Sequence, residues 1–173
     1  MSQPTPVLRD FFVAKLDREA DLVRKAIEPV PEGRNDFKPH ERSMELGYLA
    51  ALVAGILGWI ALMIERDELN LDDPANEGFR TKAMATNAEL IASLETAVAK
   101  ARRALEATDD EHLATPWAFR MNGNVVSQQP RSVMIADAVF SHLAHHRGQL
   151  TVYLRMAGST VPAIYGPSAD ERF

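Results

Sequence analysis

Two histidines four residues apart are the residues of this sequence best suited to chemistry. His142 and His146 belong to the run His142–Leu150. At about 100° per residue, an α-helix places the two side chains one turn and only about 40° apart, so their ring nitrogens can converge on one point. Two histidines that face inward from one helix form half of a metal site, since imidazole nitrogen is a strong ligand for divalent cations.

A purely structural role for this pair stays open. Val139, Leu150 and Tyr153 fall on the same helical face, so the histidines lie within the stripe that is expected to face the core. Buried histidines often do no more than hydrogen-bond one helix to another. His145 falls at the edge of the stripe and is expected to face a loop or solvent.

Other reaction classes lack their residues. The residue after His142 is Leu143, which rules out the His-Glu-x-x-His pattern of metalloproteases. The sequence has no Gly-x-Ser-x-Gly, no phosphate-binding glycine loop and no dinucleotide fingerprint. It also has no cysteine, which leaves His, Asp and Glu as the strong metal ligands.

Composition limits the class of protein further. The 173 residues fit one domain, 1–173, and the net charge of -5 argues against nucleic acid as a partner. The densest basic cluster, Lys100, Arg102 and Arg103, lies in a helical stretch that also carries acidic residues, which indicates a solvated helix face. No export signal is visible at the N-terminus, so a cytoplasmic location is expected.

The histidine pair must be positioned by long helices. Apolar periodicity, proline positions and capping residues predict four of them, at about 6–27, 43–66, 76–107 and 131–156, with Ser43 as an N-cap and Gly158 just past the last helix. Between the third and fourth helices, Asn122-Gly123 joins two extended runs. This dipeptide predicts a small β-hairpin or extended loop.

The second helix is the most apolar part of the chain. Leu46–Ile64 spans 19 residues without a charge, and three of them are glycines. We expect a buried core helix rather than a membrane span, because its flanks show no Lys/Arg excess on one side. One side of it carries only small residues, which suggests close packing within the bundle or against a second subunit, and hence a homodimer: Ala51, Ala54, Gly55, Gly58 and Ala61.

Several segments together resemble the DinB/YfiT-like proteins. The most specific is His142–Leu150, which looks like the last helix of that family; the weaker ones are Lys38–His40, Ser43–Gly47, Gly58-Trp59, Leu154–Gly158 and Val161–Gly166. The resemblance covers nearly the whole chain. It implies an all-α, up-down-down-up four-helix bundle, usually a homodimer, with zinc or nickel held by three histidines in its core.

The resemblance also implies which residues form the site. His142 and His146 match the second and third ligands, whereas the first falls in a Leu-Ala-Ala-His pattern that reads Leu49-Ala50-Ala51-Leu52 here. Leu52 has no donor atom, so the triad is incomplete. Tyr48 and Glu45 lie one and two turns away and are poorly placed to replace it. The face that carries Tyr48, Leu52 and Trp59 is expected to be core or the wall of a binding pocket.

Two functions follow as expectations. One is a divergent metal-dependent hydrolase or thiol transferase that acts on a small molecule through a weakly held zinc or nickel ion. The other is a metal-free bundle that binds a small ligand or a partner without catalysis. The incomplete triad favours the second, and the two histidines that remain favour the first.

Overall fold

The computed structural model describes residues 8–172, which are mostly helical with one small sheet. The helices are α1 Leu8–Ile27, α2 Leu46–Gly55, α3 Trp59–Glu65, α4 Asn87–Glu106, α5 Asp110–Leu113, α6 Arg131–Met134 and α7 His142–Met156. The strands are β1 Glu68–Asn70, β2 Pro116–Met121 and β3 Asn124–Pro130. The predicted start of the first helix, near position 6, lies outside the described residues.

The charge-free segment is a core element. A short 3-10 turn, Ile56–Gly58, joins α2 to α3, so residues 46–65 run as one nearly continuous helix. This helix is long and apolar enough to cross a membrane, but 78% of its most apolar stretch of 18 residues is buried inside the protein. The helix begins at Leu46 rather than at Ser43, and no side chain caps its first turn. The expectation of a buried core helix agrees with this packing.

The small-residue side of this helix packs against α4. A β-carbon added to Gly58 would lie 3.3 Å from the β-carbon of Ala97, so the two helices approach closely at this point. Ala51, Ala54 and Ala61 are buried along the same side. This contact takes up the surface that suggested a second subunit. The homodimer stays a prediction.

The third predicted helix begins later than its periodicity suggests. It was expected from position 76, but α4 starts at Asn87, behind a capping box in which Thr86 and Glu89 satisfy each other's backbone amides. Pro74 instead begins a short 3-10 helix, Pro74–Phe79, and an extended segment at 80–86 follows it. That segment crosses the surface between α3 and α4 and helps to enclose the site described below.

The last helical stretch runs from Arg131 to Met156, as predicted, but it is not a regular α-helix. Residues 135–141 form a π-helical segment between α6 and α7. The stretch ends where Gly158 adopts a φ of +81°, a left-handed conformation that glycine accommodates without strain. The π-helical segment directly precedes His142, and such widened turns often occur at functional sites.

The predicted hairpin is present, within a larger sheet. β2 and β3 pair antiparallel around Asn122 and Gly123, which have φ values of +53° and +72°. The Asp72 carboxylate accepts the backbone N–H of both turn residues, at 2.9 and 2.8 Å. β1 adds to the other edge of β2 in parallel, giving the order β1-β2-β3. The expected all-α class is therefore corrected to a mostly helical fold with a three-stranded sheet, because β1 was not predicted.

Candidate ligand pocket

The structure brings His142 and His146 together at the start of α7. Their Nε2 atoms lie 2.7 Å apart, and the ring centroids are separated by 4.5 Å. His146 is 8% exposed and His142 is half-buried. His145 is exposed, as expected, and its ring lies 5.0 Å from the His146 ring, between centroids. The four-residue spacing thus produces the convergence that the sequence predicts; the role of the pair as metal ligands stays a prediction.

The other ring nitrogens, the two Nδ1 atoms, each lie next to an oxygen atom that can accept a hydrogen bond. His142 Nδ1 lies 3.3 Å from the carbonyl oxygen of Ala138, an atom that can only accept. The backbone amide of His142 does not use this carbonyl, because in the π-helical segment it donates to Asp137 and Val139 instead. His146 Nδ1 lies 2.8 Å from Gln149 Oε1, which also accepts.

This arrangement leaves two lone pairs facing each other. If both Nδ1 atoms donate, each neutral imidazole has its Nε2 lone pair directed at the other ring. Burial lowers the pKa of His146 below its usual value, the hydrogen bond to Gln149 raises it, and the nearby His142 and His145 lower it. Burial therefore favours the neutral form of His146 near neutral pH. A cation, a ligand that donates a hydrogen bond, or a hydrogen on one of the two Nε2 atoms satisfies the pair.

All five predicted site residues line one cavity of about 660 Å³. Tyr48, Leu52 and Trp59 contribute from the α2–α3 side, and His142 and His146 from α7. The Trp59 ring lies 5.6 Å from the His142 ring, between centroids. Most of the remaining wall is apolar and comes from α3, the 3-10 segment and the sheet: Leu62, Met63, Leu69, Phe79, Trp117 and Phe119.

Leu52 lies on the cavity wall at about the level of the histidine pair. The helix that carries it runs antiparallel to α7, as two contacts show. The Tyr153 hydroxyl donates to the carbonyl of Met44 at 3.1 Å, and Trp59 contacts His142 farther along. Position 52 falls between Met44 and Trp59, opposite the part of α7 that carries His146. Its side chain is 6% exposed.

The described residues do not complete a three-ligand metal site. Within residues 8–172, no group of three or more His, Asp or Glu side chains is arranged to hold an ion. Glu45, one candidate replacement, is exposed and pairs with Lys38 at 3.2 Å, outside the cavity wall. Tyr48 lines the cavity, but Leu52 supplies only methyl groups. Zinc with two imidazoles lacks the third protein ligand that catalytic zinc sites use.

Several residues of the site were missed by sequence reasoning. Arg80 and Thr81 line the cavity from the 80–86 segment, which carries no apolar periodicity that would place it there. Gln149 orients His146, and its position three residues along the helix was a readable signal. Trp117 contributes from β2, where it and its neighbour Ala118 are both buried, so a simple alternating pattern does not give its position.

A buried ion pair fixes α7 against α1. Arg147 is 1% exposed and donates from Nη2 to Glu19 Oε2 at 2.7 Å, and Glu19 is itself 3% exposed. The Tyr165 hydroxyl donates to the same carboxylate oxygen at 3.0 Å and accepts from Arg147. Removing one partner of such a pair leaves a buried charge uncompensated. The cluster therefore sets the position of α7, and with it that of the histidine pair.

The fold and the cavity define a mostly helical protein whose ligand-sized pocket is walled by a histidine pair. The family model described as "DinB family" matches residues 1–172, and the chain belongs to the DinB family. It is similar to uncharacterized protein YrdA of Bacillus subtilis, with 27% identity over 163 residues, 94% of this chain and 90% of the relative.

Solved structures show the same fold. A DinB-like protein from Bacillus cereus ATCC 10987 superimposes with a TM-score of 0.68, at 20% identity, over 89% of this chain and 95% of the other. The DinB-like protein YjoA from Bacillus subtilis gives a TM-score of 0.65, at 20% identity, over 88% and 96%. A DinB-family protein from Exiguobacterium sibiricum gives 0.58, at 20% identity, over 85% and 92%. These likenesses concern the fold alone.

Proposed function

We propose that this DinB-family chain binds a small, largely apolar molecule in the cavity, and that His142 and His146 contact its polar end. The observation that carries the proposal is the cavity itself, whose volume of about 660 Å³ lies within the range of about 300–1,000 Å³ usual for small-molecule sites. Its wall is mostly apolar with few polar groups, which is the pattern of a binding pocket.

The histidine pair supplies the specificity in this proposal. The two Nε2 atoms lie 2.7 Å apart and can accept hydrogen bonds, which favours a ligand group that donates them, such as an amine or a hydroxyl. Tyr48 adds a second polar group on the opposite wall. A ligand with an apolar body and a donor at one end would satisfy both the wall and the pair.

The expected up-down-down-up four-helix bundle is the framework of this proposal. It is supported by the long helical stretches 8–27, 46–65, 87–106 and 131–156, which pack against one another around a shared core. Two of these stretches carry the predicted site residues on facing sides of the cavity. The framework therefore holds both walls of the pocket on rigid helices.

The test uses N-phenyl-1-naphthylamine, an uncharged aromatic probe with one N–H group. Both tryptophans of the chain, Trp59 and Trp117, line the cavity, so energy transfer from them to the probe reports entry into this site. We expect saturable binding with a stoichiometry of one. Ala138→Phe should abolish it, because Ala138 lines the cavity and a phenyl ring there would fill part of the space.

The matched control is Ala88→Phe, on the exposed first turn of α4 and away from the cavity. It adds the same side chain without occupying the pocket, and urea denaturation of both variants checks that each is folded. Binding that survives Ala138→Phe as well as it survives Ala88→Phe would place the probe elsewhere. The proposal would then be wrong.

A second candidate function is the metal-dependent hydrolase or thiol transferase implied by the resemblance. The convergence of His142 and His146 favours it, since a cation would satisfy both Nε2 atoms at once. Zinc and nickel analysis of protein purified without a polyhistidine tag tests this candidate. One equivalent of either metal per chain would support it, and metal-free protein that gains none on dialysis against zinc would contradict it.

A further inference from the structure

A basic groove adjoins the histidine cavity. It has a volume of about 900 Å³ and lies between the α2–α3 helix and α4, beneath the segment at 78–84. Five cationic side chains and a single carboxylate, Glu65, line it; the cations are Arg66, Arg80, Lys82, Lys100 and Arg103. The chain as a whole carries a net charge of -5, so this concentration of positive charge runs against the overall balance.

The cations of the groove are not neutralised by the protein. Within residues 8–172, none of the five takes part in an ion pair, whereas the neighbouring Arg102 pairs with Asp17. Arg66 donates to Asn76 at 2.9 Å and lies over the Phe79 ring. The side chains of the other four have no hydrogen-bond partner among these residues. Like charges gathered without counter-charges create a local field that attracts anions.

The groove and the cavity adjoin and share part of their lining. Arg80 and Thr81 line both of them, as do Trp59, Leu62 and Phe79. The cavity wall contributes no carboxylate within the described part of the chain, and Arg80 is its one cation there. A molecule whose body fills the apolar cavity therefore has the basic groove beside it, across Arg80 and Thr81.

We propose that the ligand of this pocket is an amphipathic anion, whose apolar body occupies the histidine cavity and whose anionic head lies in the basic groove at Arg80, Lys82 and Lys100. The inference rests on the proposed function, because it assumes that the cavity takes a small molecule. It adds the charge of that molecule and the direction in which it lies. Carboxylate and phosphate heads share the required chemistry, since both accept hydrogen bonds from Arg and Lys.

The test compares two probes with the same aromatic body. 1-Anilinonaphthalene-8-sulfonate carries an anionic sulfonate that N-phenyl-1-naphthylamine lacks. We expect the sulfonate to bind more tightly to the wild-type chain. We expect Lys82→Gln/Lys100→Gln, at two groove cations that do not line the histidine cavity, to raise its Kd about fivefold, the effect of losing two exposed charge contacts. The uncharged probe should bind both proteins equally. High salt should remove the difference, because at 1 M the screening length is only about 3 Å.

The control variant is Arg18→Gln/Arg42→Gln. It removes the same charge from exposed cations that lie outside both cavities and make no ion pair within residues 8–172. We expect it to leave both Kd values unchanged. An equal loss of sulfonate binding in the control would show a general effect of net charge and overturn the proposal, as would equal affinity of the wild type for the two probes. Failure of the uncharged probe to bind at all would instead refute the proposed function.

Displacement of the sulfonate probe by octanoate, octyl phosphate and octanol identifies the head group. We expect at least one anion to displace the probe well below the concentration at which octanol does, and Lys82→Gln/Lys100→Gln to reduce that advantage. The better of the two anions assigns the head as carboxylate or phosphate. Displacement by octanol at the same concentration as both anions would overturn the proposal.

Discussion

Leu52→His should convert the histidine pair into a three-imidazole metal site. Position 52 lies on the cavity wall at the level of His146, on a helix that packs directly against α7. The wild-type chain offers zinc or nickel two imidazoles, and water must complete the tetrahedral shell. We therefore expect wild-type affinity no better than about micromolar and a gain of orders of magnitude in the variant.

The stability of the variant should depend on metal. Leu52 is 6% exposed, and a more polar ring in its place should lower the free energy of unfolding by about 1–3 kcal/mol without metal. Metal that binds only the folded state raises the free energy of unfolding by RT ln(1 + [L]/Kd), which is about 4.1 kcal/mol when the metal concentration is a thousand times Kd. With about 100 µM zinc and a Kd of about 0.1 µM the metal is in that excess, so the stability gained from zinc binding should be larger than the stability lost through the substitution.

Urea denaturation in EDTA and in zinc measures this difference, and calorimetric titration gives the affinity directly. Leu62→His is the matched control: Leu62 is 7% exposed and lines the same cavity. It lies on α3, which packs mainly against α4 and residues 135–141, so its imidazole should not join the pair. Nanomolar, stoichiometric binding by the wild type would show that another residue completes the site. Equal gains in the two variants would refute the placement of Leu52.

Three further predictions concern stability and assembly. Burial lowers the pKa of His146 below its usual 6.5, so its contribution to stability is present above that pH and is lost as the pH falls. In urea denaturation from about pH 8 to 5, His146→Gln should therefore lose less stability than wild type. The control, His145→Gln at an exposed position, should follow wild type. Gly47→Ala should lower the free energy of unfolding by about 1–3 kcal/mol, because the new β-carbon would lie 2.6 Å from Asn35 Cγ. Gly55→Ala should instead raise it by about 0.5–1 kcal/mol in thermal or urea unfolding, because its β-carbon meets nothing closer than 3.9 Å. Sedimentation at micromolar concentration should give a homodimer of about twice the 19.2 kDa chain mass, and a single species at the chain mass would contradict it.

Local signals predicted the elements that depend on few residues. Asn122-Gly123 produces the hairpin turn, and Gly158 follows the last helix, since both need the left-handed backbone found there. The start of α4 was also readable from Thr86 and Glu89, but the preceding periodicity led to an earlier start. β1 has no such signal. Its three residues, Glu68–Asn70, become a strand only through parallel pairing with β2.

The candidate site was predictable only where it depends on local geometry. The angle between His142 and His146 follows from helix geometry, and their convergence is local. The cavity depends on tertiary packing, because Trp117 reaches it from the sheet and Arg80 from the extended segment before α4. Neither position follows from periodicity. The sequence likewise predicted a solvated helix face for the basic residues Lys100 and Arg103. In the structure the 78–84 segment adjoins them and forms one side of a groove.

The partners of the two imidazoles argue for binding rather than for metal-free catalysis. A histidine that acts as a general base is usually oriented by a carboxylate on Nδ1, which stabilises the imidazolium when it forms. Here the Nδ1 partners are a backbone carbonyl and the Gln149 amide, and neither carries a charge. The cavity wall contributes no carboxylate among residues 8–172, and burial lowers the pKa of His146. Without a cation His146 would accept a proton poorly in a reaction, but both imidazoles can accept hydrogen bonds from a bound ligand.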